Sequence, residues 1–293
     1  MNLPLKLPRS LPRLTQARAP LTQAIQALNE HGHLQAVSIP AERALTVYVD
    51  KRELVTLMTL GASPELLVLG YLRNQRLVRS VEDIESITVD WDVGEGLLSE
   101  SGAAAVKTRS GIDEIEARTS KKVVTTGCGQ GSVFGALLDE IDAVRLPAMT
   151  DARFTQDQLY GVVNTLRLQE STYKSAGSVH GCALFSMADG GHEMLLFVED
   201  VGRHNAMDTL AGWLWMQDVA TRSGGDKLFY TTGRLTSEMV IKSAQMGVPL
   251  VVSRSGITQM GYQVAQALGL CAVGRATNKH YLCFTALDRL VRG

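Results

Sequence analysis

Residues 228–273 read LFYTTGRLTSEMVIKSAQMGVPLVVSRSGITQMGYQVAQALGLCAV, and their pattern decides the fold class. Short apolar runs at Leu228 to Tyr230, Val248 to Val252 and Leu270 to Val273 are separated by two amphipathic stretches, 236–246 and 258–268. Uninterrupted apolar strands alternating with helices imply a sheet buried on both faces, largely parallel in this half of the chain.

Working upstream, Met207, Leu210, Ala211 and Leu214 form a helical stripe, which predicts a helix over 204–217. Val179 to Met187 and Met194 to Val198 are joined by Ala188-Asp189-Gly190-Gly191, a hairpin signal. Thr155 and Gln158 stand at capping-box spacing before Leu159, Val162, Val163 and Leu166, which predicts a helix over 156–169. The expected organisation is an α/β domain over 150–293, a cysteine loop and connection over 121–149, and a small α+β domain over 41–120. In the small domain Leu45, Val47 and Val49 alternate with polar neighbours, as do Ile87, Val89 and Trp91. A second apolar run follows at Leu54 to Met58, and Ser63, Pro64 and Glu65 mark a helix start. Residues 1–40 read as a flexible arm with one short helical stretch around Leu21 to Leu28.

The chain has 293 residues, 45% hydrophobic and 20% charged, with a formal net charge of -1. That is enough chain for a buried core and gives no overall electrostatic pull toward nucleic acid or membrane. Lys6, Arg9, Arg13 and Arg18 precede the first acid, Glu30, and read as a solvated tail. No run approaches the roughly 18 apolar residues of a membrane span, and Pro4, Pro8, Pro12 and Pro20 interrupt any secretory signal. Cysteines at 128, 182, 271 and 283 are too scattered for a disulfide scaffold and fit a reducing cytoplasm.

Four segments carry candidate chemistry. Thr125-Thr126-Gly127-Cys128-Gly129-Gln130-Gly131-Ser132 surrounds one thiol with glycines, which suits an exposed, approachable sulfur near Lys121 and Lys122. An incidental cysteine in a surface loop is the other reading. Cys182, Cys271 and Cys283 all fall in expected strands, where a thiol behaves as a small hydrophobe. Glu199-Asp200-Val201-Gly202-Arg203-His204-Asn205 follows a strand and precedes a helix. There Arg203 is suited to an anion and His204 to a proton, or an Asp200–Arg203 pair fixes the loop. Thr232-Gly233-Arg234 with Thr236 is a strand-to-helix corner suited to an anion, and Ser253-Arg254-Ser255-Gly256 repeats it. Gly274-Arg275-Ala276-Thr277-Asn278-Lys279-His280 is a polar, basic link between apolar strands, equally readable as a solvated hairpin.

In this order, and with Gly177-Ser178-Val179-His180, Ala206-Met207-Asp208 and Lys242-Ser243-Ala244, the segments resemble the formate dehydrogenase accessory sulfurtransferase family, FdhD. The resemblance runs from about residue 41 to 285. It implies a cytidine-deaminase-like three-layer C-terminal domain and a homodimer. It also implies a sulfurtransferase or sulfur carrier that accepts persulfide sulfur from a cysteine desulfurase. That sulfur passes to the bis(molybdopterin guanine dinucleotide) molybdenum cofactor of formate dehydrogenase, or of a related molybdo- or tungstoenzyme. Cys128 matches the persulfide cysteine, and Arg275 to His280 match the cofactor-contacting segment. Gly233, Arg234, Arg203, His204 and His180 join them as candidate cofactor contacts. Arg275 stands where an aromatic residue is usual. Gly131 replaces the second cysteine of many members, which excludes an intraloop disulfide but not a one-cysteine persulfide. Leu72-Arg73-Asn74-Gln75-Arg76-Leu77 replaces an acidic pattern. A non-catalytic cofactor chaperone is the alternative function. Zinc deaminase chemistry is not expected, because it needs His-x-Glu and Cys-x-x-Cys, and this chain offers His180-Gly181-Cys182.

Overall fold

A computed structural model describes residues 11–93, 101–112, 123–124, 131–132, 144–148, 152–217 and 224–292. The N-terminal unit contains, in chain order, β1 (Arg13–Leu14), β2 (Thr22–Leu28), β3 (Leu34–Pro40), β4 (Arg43–Val49), β5 (Arg52–Thr59), α1 (Pro64–Asn74), β6 (Ile84–Asp90) and β7 (Gly102–Thr108). One sheet has the order β1-β6-β7-β4-β5. The period-two pattern of β4 is realised, with Leu45, Val47 and Val49 buried beneath Leu67, Val68 and Leu72 of α1.

Pro64 opens α1, but Ser63 makes no side-chain cap. The Glu65 carboxylate instead accepts from the Thr15 hydroxyl at 2.6 Å and the Ala17 amide at 2.7 Å. These bonds, with the β1–β6 pairing, build residues 13–17 into the unit. The helix expected around Leu21 to Leu28 is a strand: β2 and β3 form an antiparallel hairpin from Thr22↔Pro40 to Leu28↔Leu34. The reason lies in its turn. Asn29 Oδ1 accepts from the His31 and His33 amides, and Gly32 takes φ +78°, a conformation open to glycine.

Two short strands, β8 (Val123–Val124) and β9 (Gly131–Ser132), pair antiparallel. The C-terminal unit then contains β10 (Phe154–Thr155), α2 (Gln156–Leu168), α3 (Thr172–Ala176), β11 (His180–Ser186), β12 (Glu193–Asp200), α4 (Arg203–Trp215), β13 (Lys227–Thr231), α5 (Ser237–Gln245), β14 (Leu250–Ser253), α6 (Gln259–Leu268), β15 (Cys271–Thr277), β16 (His280–Cys283) and β17 (Leu290–Val291). The expected helices agree within a residue or two at each end. The capping box is present, Thr155 Oγ1 accepting from the Gln158 amide and Gln158 Oε1 from the Thr155 amide.

The six-stranded sheet has the order β12-β11-β13-β14-β15-β16. β13, β14 and β15 are parallel at its centre; β11, β12 and β16 add antiparallel flanks. α2 covers one face through Leu159, Val162 and Val163. On the other face α4, α5 and α6 pack through Met207, Leu210, Met239, Val240 and Ala265. Three layers result, the buried-sheet arrangement that the continuous apolar strands require. Arg289 is buried and donates to the carbonyls of Pro147, Ala148, Ala152 and Gly269, which ties Pro147, Ala148 and Ala152 to the C-terminal end.

The two units meet along α1 and α4. A Cβ on Gly70 would lie 1.6 Å from the Asp208 carbonyl oxygen, and one on Gly212 would lie 2.0 Å from that of Leu66. The helix backbones therefore touch, which only glycine permits at these two positions. Asn74 Nδ2 donates to Asp208 Oδ1 at 2.7 Å, and the Thr59 hydroxyl donates to Asp200 Oδ2 at 2.5 Å. Among the described residues, no helix is long and apolar enough to cross a membrane.

Candidate functional site

The corners after β13 and β14 are bonded into one platform. Ser253 Oγ donates to the Gly233 carbonyl at 2.6 Å, the Arg254 amide donates to Thr231 O, and the Leu235 amide donates to Gly256 O. Thr232 Oγ1 accepts from the Gly181 amide at 3.1 Å, joining β11 to the same ledge. Gly233 is required for close approach, because a Cβ there would sit 2.8 Å from Arg203 Cδ. Gly274 plays the same part on β15: its Cβ would meet Phe284 Cε2 at 2.8 Å and the Ser255 carbonyl oxygen at 3.2 Å. Thr258 caps α6 by accepting from the Gly261 amide. Thr236 stands at the start of α5 but makes no side-chain cap, and its buried Oγ1 has no hydrogen-bond partner among the described residues.

Beside this platform lies a cavity of about 370 Å³, near the lower end of the range for small-molecule sites. Ala276, Thr277 and Asn278 form part of its wall, with Gly181, Thr232 and Arg254 at the platform edge. Phe197 and Tyr230 supply apolar surface, and Arg167 and Lys174 add positive charge. Glu199 also lines it, but that carboxylate accepts from the Thr172 and Tyr173 amides at the start of α3. β15 and β16 join in a tight turn at Asn278 (φ +51°), and Arg275, inside β15 where its register with β16 is irregular, takes φ +53°. Arg275, Lys279 and His280 are exposed and are not part of the cavity lining. Sequence reading found Arg254 as a corner residue, but Arg167, Lys174, Tyr173 and Phe197 carry no motif that would single them out.

Arg203 and His204 begin α4 and are buried, 4% exposed each. They lie under the platform rather than in the cavity wall. His204 Nδ1 is 3.6 Å from Glu238 Oε1, and burial pushes its pKa down to about 3, so the imidazole is neutral. Lys242 contacts Asp208 at 2.9 Å and Glu238 at 3.4 Å. Burial opposes its charge, yet the two carboxylates hold the ammonium above the ordinary lysine range. Burial likewise works to raise Glu238, but the Lys242 ammonium holds it below the usual carboxylate range. His180 is half-buried; burial, with repulsion from Arg203 and Arg234, holds it below the ordinary histidine range. Arg234 is exposed.

Cys128 lies outside the described residues, in the stretch between β8 and β9. The other thiols separate into two kinds. Cys182 is fully buried and its pKa is pushed up to about 12 by burial. Cys271 and Cys283 face each other at 3.6 Å between sulfurs. Cys283 is only half-buried, and the hydrogen bond from Cys271 holds it below the ordinary thiol range. It is thus less buried than Cys182 and Cys271 and faces a second thiol.

The chain aligns with the Listeria innocua protein named sulfur carrier protein FdhD at 27% identity over 264 residues, covering 89% of this chain and 95% of that one. The Bacillus licheniformis protein of the same name is 28% identical over 256 residues, covering 87% and 91%. The Bacillus subtilis one is 27% identical over 263 residues, covering 89% and 94%. A crystal structure described as a formate dehydrogenase accessory protein, from Desulfotalea psychrophila, superposes with a TM-score of 0.68 at 21% identity. It covers 93% of this chain and 100% of its own, and so shares the fold. The profile of the FdhD/NarQ family matches residues 40–291, and the chain belongs to that family.

Proposed function

We propose that this protein is a sulfur carrier that loads Cys128 with persulfide sulfur from a cysteine desulfurase. It delivers that sulfur to the bis(molybdopterin guanine dinucleotide) molybdenum cofactor destined for formate dehydrogenase or a related enzyme. The observation that carries this reading is the family match over residues 40–291, a span that contains the glycine-flanked Cys128. Relatives named sulfur carrier proteins support it.

In the loading step the Cys128 thiolate attacks the outer sulfur of the desulfurase persulfide. The sulfur–sulfur bond of the donor breaks, the desulfurase thiolate leaves, and Cys128 holds the new persulfide. No net redox change occurs. The alternatives among the other thiols are disfavoured at Cys182 and Cys271, whose pKa values are raised by burial and, for Cys271, by its bond to Cys283. On the acceptor side, the cavity beside Arg254 accommodates one nucleotide-sized portion of the cofactor, and Arg254, Arg167 and Lys174 complement its phosphates. Arg234, Arg275, Lys279 and His280 are exposed around that face and add cationic charge. The homodimer is part of the same proposal and is checked by sedimentation.

Peptide mapping after incubation with a cysteine desulfurase and cysteine tests the carrier role. The added sulfur is expected on Cys128; recovery on Cys182, Cys271 or Cys283 overturns the assignment. The absence of a second loop cysteine, with Gly131 in its place, favours one competing reading, a cofactor chaperone that moves no sulfur. No loading at any thiol, with GDP binding intact, would select it.

A further inference from the structure

Cys271 opens β15 and Cys283 closes β16, the edge strand beside it. Val273 faces Cys283 in the register, so Cys271 and Cys283 stand diagonally on one face of the sheet. Their sulfurs are 3.6 Å apart. Thr285 pins the junction from the other side, its hydroxyl accepting from the Ala272 amide at 3.1 Å and donating to the Leu270 carbonyl at 2.7 Å. Cys271 is fully buried, whereas Cys283 retains access to solvent. One thiol of the pair is thus reachable and the other sits directly behind it.

We infer that Cys271 and Cys283 are an oxidisable dithiol that closes to a disulfide across the β15–β16 hairpin by exchange with a low-molecular-weight disulfide. Cys283 attacks one sulfur of the small disulfide, forming a mixed disulfide and releasing one small thiol. Cys271 then attacks the Cys283 sulfur; its proton and the second small thiolate leave together as a thiol. The two protein thiols lose two electrons, and the small disulfide gains them. Cys283 is half-buried and Cys271 fully buried, so a small disulfide meets Cys283 first, in keeping with that order.

Closure must bring the sulfurs from 3.6 Å to about 2.05 Å. The β16 strand is paired on one side only, and its register with β15 is already irregular between Gly274 and Thr277. An edge hairpin of this kind can shift without disturbing the central strands. The bond would clamp both ends of the hairpin that contributes Ala276, Thr277 and Asn278 to the cavity wall. Oxidation would thereby fix the shape of that wall.

The test uses the full chain carrying Cys128→Ser, so that its result is independent of sulfur loading. The protein is incubated with glutathione disulfide under conditions that fully oxidise a reference dithiol peptide, then alkylated, digested without reductant and mapped by mass spectrometry. The expected result is a peptide pair joined between Cys271 and Cys283 and lacking two hydrogens, with Cys182 still alkylatable after denaturation. Cys271→Ser should instead hold glutathione on Cys283, and Cys283→Ser should leave Cys271 unmodified. Recovery of both cysteines as free thiols, or glutathione on Cys271 in the Cys283→Ser protein, overturns the inference.

Discussion

Lys242 Nζ lies 2.9 Å from Asp208 Oδ1, and neither side chain is exposed to solvent at all. The pair joins α5 to α4, and Asn74 extends it to α1 by donating to the same carboxylate at 2.7 Å. Glu238, one turn before Lys242, brings His204 into the group. Charged groups are rarely buried without partners, because desolvation costs several kcal/mol per ion. Here the ions join α4 to α5 beside the helix contact between the two units.

Replacing Lys242 with Met should therefore destabilise the protein by about 3–5 kcal/mol, since Asp208 and Glu238 lose their shared cation while remaining buried. Denaturant midpoints measure this. A loss below about 1 kcal/mol would mean that water already reaches the carboxylates.

His204 makes the same region sensitive to acid. Its folded pKa is depressed from 6.5 to about 3, so the unfolded chain binds the proton that the folded one refuses. Between those two values the unfolded state carries more protons, and stability falls as pH falls through the window. The slope from this one group reaches at most about 1.4 kcal/mol per pH unit. Denaturation curves for His204→Gln should be flatter than wild type between pH 6 and pH 4. Half-buried His180 shifts in the same direction and leaves a residual slope. Parallel curves for the two proteins would assign the acid response elsewhere.

The α1–α4 crossing predicts a steric effect of a different kind. Gly70→Ala places a methyl group 1.6 Å from the Asp208 carbonyl oxygen, and backbone cannot rotate out of the way as a side chain can. Overpacking generally costs about 1–3 kcal/mol, and this site should reach or exceed the top of that range. Gly111→Ala is a poor control because its φ is +79°, but Gly256→Ala, with open space around its Cβ and no positive φ, should be nearly neutral. Equal stability of the Gly70 and Gly256 variants would contradict the crossing.

Much of this architecture was legible from periodicity. The stripe Met207, Leu210, Ala211 and Leu214 faces the sheet, and the apolar runs around Leu228, Val251 and Ala272 are its central strands. These signals are local, since each apolar face must be buried whatever its partner. The β2–β3 hairpin was not legible in the same way. Thr22 to Leu28 has no strong alternation and is largely exposed, so an Asn29–Gly32 turn decides its conformation. The site was legible only in part. Gly233, Thr277 and Asn278 stand in recognisable turns, but whether a cation faces a cavity depends on long-range packing. Arg203 and Arg254 sit in similar corner sequences; the first is buried under Gly233 and the second lines the cavity. The Asp208–Lys242 contact spans 34 residues, and nothing in either local sequence announces it.

The contrast between Arg254 and Arg234 gives a direct test of where a guanine-bearing ligand sits. Both follow a parallel strand of the sheet, and both are exposed cations. Only Arg254 lines the cavity, next to Thr232, Thr277 and Asn278. GDP, used as a stand-in for the dinucleotide tail, should therefore lose affinity in Arg254→Ala by about tenfold or more. A charge-assisted contact to phosphate contributes about 1.5–3 kcal/mol, and each 1.4 kcal/mol is a factor of ten. Arg234→Ala and Lys279→Ala act from outside the cavity through screened charge, so their losses should be smaller and should vanish first as salt is raised. Calorimetry on the three variants at low and physiological ionic strength separates these contributions. If Arg234→Ala weakens GDP binding more than Arg254→Ala at both salt concentrations, the nucleotide lies over the β13 corner and not in the cavity. If GDP does not bind the wild-type protein at millimolar concentration, the cavity serves some other ligand.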